Sequence, residues 1–372
     1  MTHPAAAIAP PPIPAAKIGR VGVGVLGATG YAGAELVRLL RGHPAAAVLA
    51  LGSRQHAGEL LSRHWPSMPD LDIRLEAEPE RPEAWRERGV DVIFSALPHT
   101  AFASRAEAYL RAGLRVVDLS ADFRLRDAAE YRRRYGAEHP APHLLDRAVY
   151  GLTEWCGPEL EAAELIANPG CYATAVLLAA LPALAGGWLS GAPILANALS
   201  GVSGAGRTPS LSTHFVECGG SAAPYKVAED HPHMGEMLQA MRRAAEGTPS
   251  LVFNPHLVPM ARGILATVAL PLARKIDPEQ ARALYLSRYS RGDESGFVRV
   301  LETGQLPETR HVRGSNRCDL GLRVCGGGRQ LLVFAALDNL VKGAAGQAIQ
   351  NWNRAQGWPE ATGLPLAGWT CA

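Results

Sequence analysis

The sequence predicts an α/β protein in two parts, a doubly wound parallel sheet followed by a β-rich α/β catalytic half. Three observations carry this expectation. Short β-prone runs alternate with helical stretches through the first half, at the spacing of βαβ units. A glycine-rich turn joins the first such run to the first amphipathic stretch. Later in the chain, strand-like segments crowd together at 264–272, 319–325 and 331–337.

The 372 residues, 47% hydrophobic and 19% charged, are enough for roughly two or three globular domains. A formal net charge of +2 lacks the strong field expected for a nucleic-acid or acidic-membrane partner, so neither is expected. The six cysteines include no CxxC pair and read as reduced thiols, which places the protein in the cytoplasm. Residues 1–17 are rich in Ala and Pro and have no basic region before an apolar core, so they read as a mobile tail. The apolar stretch 173–188 is broken by Pro182 and by Gly186-Gly187 and is too short to span a membrane.

The first strand, 21–26, runs into Gly27-Ala28-Thr29-Gly30-Tyr31-Ala32-Gly33, and apolar residues at 36, 37, 39 and 40 then form one helix face. Strand, glycine turn and helix are the setting of a dinucleotide fingerprint. Glycines let backbone N–H groups approach a pyrophosphate, and the helix N-terminus supports its charge. The spacing GxxGxxG departs from GxGxxG, so a tight turn without a ligand is the competing reading.

A second strand, 46–51, ends at Gly52-Ser53-Arg54. An NAD site would place a carboxylate there for the ribose, whereas a hydroxyl and a guanidinium suit the 2′-phosphate of NADP. Strands at 91–99 and 115–120 follow, the latter leading into Ala121-Asp122-Phe123-Arg124. Arg124 is placed either to hold a substrate anion or to pair with Asp122. Arg132 to Arg134 read as a solvated helix face without function.

Cys171 lies in Asn168-Pro169-Gly170-Cys171-Tyr172-Ala173-Thr174, at the expected N-terminus of a helix. Unpaired N–H groups and the positive dipole end there favour a thiolate, the nucleophilic form. Farther on, a short apolar run at 196–199 enters Ser200-Gly201-Val202-Ser203-Gly204-Ala205-Gly206-Arg207, a loop of backbone donors with one cation, suited to an anion. His231 and His233, with Glu236 three residues later, do not share one helix face and have no evident third ligand nearby. They therefore read as an acid/base group, and no metal is expected. The run 254–264 leads into the 264–272 strand, and 340–352 reads as a helix with a small-residue face.

Taken together, GATGYAGAEL (27–36), SADFR (120–124), NPGCYAT (168–174), SGVSGAGR (200–207), HPHMGE (231–236), PMARG (259–263) and KGAAGQA (342–348) occur in one order. From residue 19 to 368 the chain resembles the N-acetyl-gamma-glutamyl-phosphate reductase family. The resemblance implies an NADP-binding Rossmann domain at 18–170, completed by a C-terminal helix at 339–372. It implies a glyceraldehyde-3-phosphate-dehydrogenase-like α/β catalytic and dimerisation domain at 171–338. It further implies NADPH-dependent reduction of an acyl phosphate in arginine biosynthesis by a homodimer or homotetramer.

On this resemblance Cys171 is the nucleophile, and His231, His233 and Glu236 are its proton-handling partners, with the choice between the histidines open. Cofactor contacts fall on Gly27, Thr29, Gly30, Tyr31, Ala32, Gly33, Ser53, Arg54, Ser203, Gly204 and Asn339. Substrate contacts fall on Arg124, Asn168, Arg207 and Arg262. The family pattern His-x-His-x-Pro-Glu is broken by Gly235, a change expected to loosen that turn. Reductases of carrier-bound or aspartyl phosphates are the nearest alternatives, and a non-catalytic NADP sensor is the alternative from another class.

Overall fold

The computed structural model of the chain describes residues 19–69, 73–245, 247, 249–290 and 296–370. The Ala/Pro-rich tail expected at 1–17 lies outside the described residues. The first sheet contains β1 (Val21–Leu26), β2 (Ala46–Gly52), β3 (Leu75–Glu76), β4 (Val90–Ser95), β5 (Arg115–Asp118), β6 (Val149–Tyr150) and β7 (Leu165–Ala167). Their order is β3-β2-β1-β4-β5-β7-β6, and every neighbouring pair is parallel. The winding direction reverses between β1 and β4, which opens a crevice at their carboxyl ends, where sheets of this kind bind ligands.

The alternation Val-Gly-Val-Gly in β1 explains how the strand is covered on both faces. Val23 and Val25 are fully buried among residues of the helix Tyr31–Arg41 and the helix Gly346–Ala355. The other face leaves no room for side chains, because a Cβ on Gly24 would lie 2.9 Å from the Trp85 ring. Gly27 turns the chain out of β1 with a φ of +77°, a conformation for which glycine is suited. A Cβ on Gly33 would lie 2.1 Å from the Gly27 carbonyl oxygen, so the helix can seat on the turn only with glycine there. Gly33→Ala is therefore expected to destabilise the protein by about 2–3 kcal/mol, read as a lowered urea midpoint at unchanged slope. A midpoint equal to that of the wild type would refute this packing account.

The second sheet is mixed. It contains β8 (Ile194–Ser200), β9 (Ala223–Pro224), β10 (Leu251–Leu257), β11 (Ile264–Pro271), β12 (Val298–Val300), β13 (Cys318–Cys325) and β14 (Gln330–Leu337), in the order β12-β13-β14-β11-β8-β10-β9. One face is covered by the helices Cys171–Ala185, His233–Ala244 and Pro278–Tyr289. The helix Cys171–Ala185 is apolar on all sides and buried almost throughout, as a core helix should be. Pro182 has no N–H to offer the Leu178 carbonyl four residues earlier, and the Tyr289 hydroxyl donates to it instead at 2.6 Å.

Two segments depart from the sequence reading. The run at 254–257, read as a lead-in, belongs to β10, where Pro255 pairs in parallel with Ala198 of β8. The stretch 340–352 is not one regular helix. Val341–Ala345 form a π-type turn, with Ala345 N–H donating to Leu340 O at 2.9 Å, and Gly346–Ala355 continue as α-helix. Among the described residues no helix is long and apolar enough to cross a membrane.

Candidate active site

A cavity of about 790 Å³ opens at the carboxyl ends of β1 and β4 and extends to Cys171. Its first wall is the glycine turn, with Gly27, Thr29, Gly30, Tyr31 and Ala32 lining it. The helix that begins at Tyr31 has no side-chain cap and no acid in its first turn, so its N-terminus is left to support an anion. Gly33 does not line the cavity. Its place is the helix–turn contact described above, which corrects the expectation of a direct cofactor contact.

Ser53 and Arg54 line the cavity at the end of β2, and Arg54 also pairs with Glu78 at 3.4 Å. On the opposite side Asn339 donates to the Ser203 hydroxyl at 3.0 Å and accepts from Gly263 N–H at 2.8 Å. That pair holds the Ser203-Gly204 loop against the strand end, with Ser203, Gly204 and Asn339 all on the cavity wall. The residues present thus fit a dinucleotide: a glycine cradle, an uncapped helix N-terminus, and a hydroxyl with a guanidinium at the ribose end.

Cys171 is the first residue of its helix, following Gly170. The π-type turn presses against it, since a Cβ on Gly343 would lie 2.7 Å from the Cys171 Cβ. Burial pushes the thiol up to about 11, against the pull of the Arg124 guanidinium and a backbone hydrogen bond at the helix start. Burial thus opposes the thiolate that the sequence reading expects the helix terminus to favour. The helix terminus does favour the anion, but desolvation outweighs it.

Glu236 organises the surroundings of the thiol. Its carboxylate accepts from Gly170 N–H at 3.0 Å, from the Tyr150 hydroxyl at 2.7 Å and from Arg124 at 3.1 Å. Arg124 is buried, and it also donates to the carbonyls of Asn168 and Leu119, each at 2.8 Å. Arg124 does not pair with Asp122, which instead accepts from Thr100 and Ala103 N–H and from Tyr131. The bonds to Glu236, Asn168 and Leu119 use three of the five guanidinium N–H groups and fix Arg124 on the cavity wall.

The two histidines separate by place. His233 lines the cavity, with its Nε2 3.8 Å from Glu236. A Cβ on Gly170 would lie 2.4 Å from the His233 ring, so glycine beside the nucleophile is what lets the imidazole approach. His231 lies behind, packed by Tyr172, Tyr225 and Phe253, and its Nδ1 accepts the His233 backbone N–H at 3.1 Å. Burial lowers both, His231 to about 2 and His233 well below the usual imidazole range, with the Arg124 charge adding to the effect at each. Burial thus favours the neutral ring at both positions. Gly235 does not loosen this turn. It is part of the helix His233–Ala244, and a Cβ there would lie 3.2 Å from Leu125.

The remaining expected residues are divided. Asn168 lines the cavity, and its side chain is held by Asn351 and by the Ala344 carbonyl. Arg207 lines it too, stacked on Trp65 with its guanidinium donating to the Thr29 and His64 carbonyls. Arg262 is not brought to this cavity. It pairs with Glu35 at 2.8 Å and approaches Asp338 at 3.5 Å, across a neighbouring cleft. Sequence reasoning gave no role to His99, Tyr150 or Gly343. His99 lies in the loop that follows β4 and lines the cavity, whereas Tyr150 and Gly343 become visible only through the fold.

Residues 22–163 match the family description "Semialdehyde dehydrogenase, NAD binding domain", and 171–339 match "Semialdehyde dehydrogenase, dimerisation domain". An N-acetyl-gamma-glutamyl-phosphate reductase of Symbiobacterium thermophilum is 46% identical, over 93% of this chain and 98% of that protein. The chain belongs to the N-acetyl-gamma-glutamyl-phosphate reductase family. A further family member, from Pseudomonas aeruginosa, is 44% identical over 93% of this chain and 98% of its own length.

Among solved structures, aspartate semialdehyde dehydrogenase II of Vibrio cholerae superposes with a TM-score of 0.67 at 18% identity, covering 90% of this chain and 97% of that one. Aspartate semialdehyde dehydrogenase of Candida albicans with NADP gives 0.62 at 18% identity, covering 91% and 99%. Those two likenesses speak for the fold alone. The expected Rossmann-plus-catalytic architecture is found, and the reductase family brings with it a nicotinamide cofactor domain and a dimerisation domain.

Proposed function

We propose that this protein reduces N-acetyl-L-glutamyl 5-phosphate to N-acetyl-L-glutamate 5-semialdehyde and phosphate with NADPH, a step of arginine biosynthesis in the cytoplasm. The observation that carries the reading is the single cavity joining the glycine cradle to Cys171 and His233. The nicotinamide cofactor supplies a hydride when bound; everything else falls to the chain's own residues. Neutral His233 takes the Cys171 proton, and the sulfur forms a bond to the acyl carbon while the bond to phosphate breaks. The cysteine then carries the acyl group as a thioester. After hydride reaches the carbonyl carbon, the C–S bond breaks to release aldehyde, and the thiolate regains a proton from His233. Glu236, held by Tyr150 and Arg124, fixes Gly170 and the imidazole in register for both transfers.

Arg207, on the cavity wall, is the cation assigned to the substrate anion, with Asn168 beside Cys171. NADP is preferred over NAD because Ser53 and Arg54 stand at the ribose end of β2. The domain division follows the two sheets: 18–170 with the C-terminal segment 339–372 around the cofactor, and 171–338 around the nucleophile. The uncovered face of the second sheet exposes Leu195, Leu199 and Val252, which supports self-association into a homo-oligomer through that face.

The test is phosphate-dependent reduction of NADP and of NAD with N-acetylglutamate semialdehyde and aspartate semialdehyde in parallel. The expected result is turnover with NADP and the N-acetylated substrate, at least tenfold above any other combination. Preference for aspartate semialdehyde would overturn the substrate, and preference for NAD would overturn the cofactor assignment.

A further inference from the structure

The sequence gives no reason to look for a metal between β2 and the helix Leu61–His64. The spacing of His56, Glu59 and His64 fits no single helix face and no short ligand motif. The fold brings them together. His64 Nε2 lies 3.2 Å from one Glu59 oxygen, and His56 Nδ1 lies 3.6 Å from the other. One ligand atom from each residue falls within 4.8 Å of the rest, the only such group of three among the described residues. The two imidazole rings lie with centroids 4.0 Å apart at an interplanar angle of 50°.

A tetrahedral zinc with nitrogen and oxygen ligands at about 2.0–2.2 Å spaces those ligands about 3.3–3.5 Å apart; each imidazole nitrogen meets a different Glu59 oxygen at a similar separation, so the carboxylate would engage the ion through both oxygens. A second, independent observation concerns the His64 Nε2 atom. It is buried and lacks a hydrogen-bond partner among the described residues, although the Glu59 carboxylate stands in front of it. A cation held between that nitrogen and the carboxylate would supply the missing partner.

We propose that His56, Glu59 and His64 bind one divalent transition-metal ion of the zinc class, with water completing its coordination. The site is distinct from the Cys171 centre. It ties the loop after Ser53 and Arg54 to the helix Leu61–His64, and the next residue, Trp65, stacks under Arg207 and donates to the Thr29 carbonyl. The bound ion would therefore act as a clip on the outer wall of the dinucleotide cavity, not as a reagent in the chemistry.

Cobalt(II) is the probe, because its spectrum reports the donor set. Full-length protein freed of metal with a chelator is titrated with cobalt chloride, in the wild type and in His56→Asn, His64→Asn and Glu59→Gln. One equivalent per chain is expected, with the intense visible d–d bands of a low-coordinate site and no thiolate-to-cobalt charge transfer. Affinity should fall in each variant on the order of 100-fold or more, beyond the 10–100-fold typical of losing an outer partner of a ligand. Cooperative unfolding of the chelator-treated variants, measured by circular dichroism, separates loss of the site from loss of the fold. Absence of binding, a thiolate charge-transfer band, or unchanged affinity in folded variants would each overturn the proposal.

Discussion

Cys171→Ser is expected to lower kcat by about 10⁴-fold or more while leaving NADPH affinity within about twofold of the wild type. A serine hydroxyl is a far weaker nucleophile, and the cofactor cradle lies on the other side of the cavity from residue 171. Mixing wild-type protein with the acyl phosphate in the absence of NADPH should release one phosphate per active chain as the thioester forms. The variant should release none. The thiol itself should behave as a protonated group in the free enzyme. With its pKa pushed up to about 11 by burial, its alkylation rate should rise about tenfold per pH unit through the neutral range and level off only in strong alkali. A plateau near pH 7 would show instead that the helix terminus and Arg124 outweigh desolvation. A fully active serine variant would remove the covalent mechanism altogether.

His233→Gln is expected to reduce kcat/KM by about 10²–10⁴-fold, the range associated with losing a positioned acid/base. Its second signature is thermodynamic. His231 and His233 are held neutral in the folded protein, with His231 at about 2 and His233 well below its usual range, while in the unfolded chain both titrate near 6.5. Below about pH 6.5 the unfolded chain therefore binds protons that the native state refuses, and stability falls as the pH falls. Each such imidazole contributes up to about 1.4 kcal/mol per pH unit, or about 2.7 for the pair. The glutamine variant should lose its half of that slope between pH 6 and 5 in urea melts, besides losing activity. An unchanged slope with activity lost would leave His233 as a proton carrier that is already charged in the native state.

Much of the fold can be read in the sequence because its strands carry their own patterns. The run at 21–26, the alternating 264–272 segment and the glycine turn after β1 all lead directly to observed elements. What escapes is what depends on distant partners. Pro255 hides β10 because a proline seldom marks a strand, and its place is understood only once β8 is seen beside it. The π-type turn at Val341–Ala345 is set by contacts with Asp338 and Cys171, not by local propensity.

The site shows the same division. Cys171, His233 and the cradle can be found by motif, whereas the destination of each arginine cannot. Arg124, Arg207 and Arg262 share one residue type and similar loop settings. Only the fold reveals that Arg124 is committed to Glu236 and two carbonyls, that Arg207 borders the cavity, and that Arg262 belongs to Glu35. Charge in a sequence says that a partner exists, but the packing decides which one.

The contact between Gly343 and Cys171 also has a meaning in time. Chains are made from the N-terminus, and domains begin to fold as they emerge. The nucleophile is synthesised near the middle of this chain, yet the turn that walls it in comes near the end, after the last strand of the second sheet. The helix Gly346–Ala355 that follows the turn also packs on β1, so the parallel sheet and its glycine cradle gain their full cover only at the same stage. The reactive thiol is thus enclosed only once residues 338–355 have been made, and the same segment completes the cover of the cofactor sheet, so wall and cradle mature together.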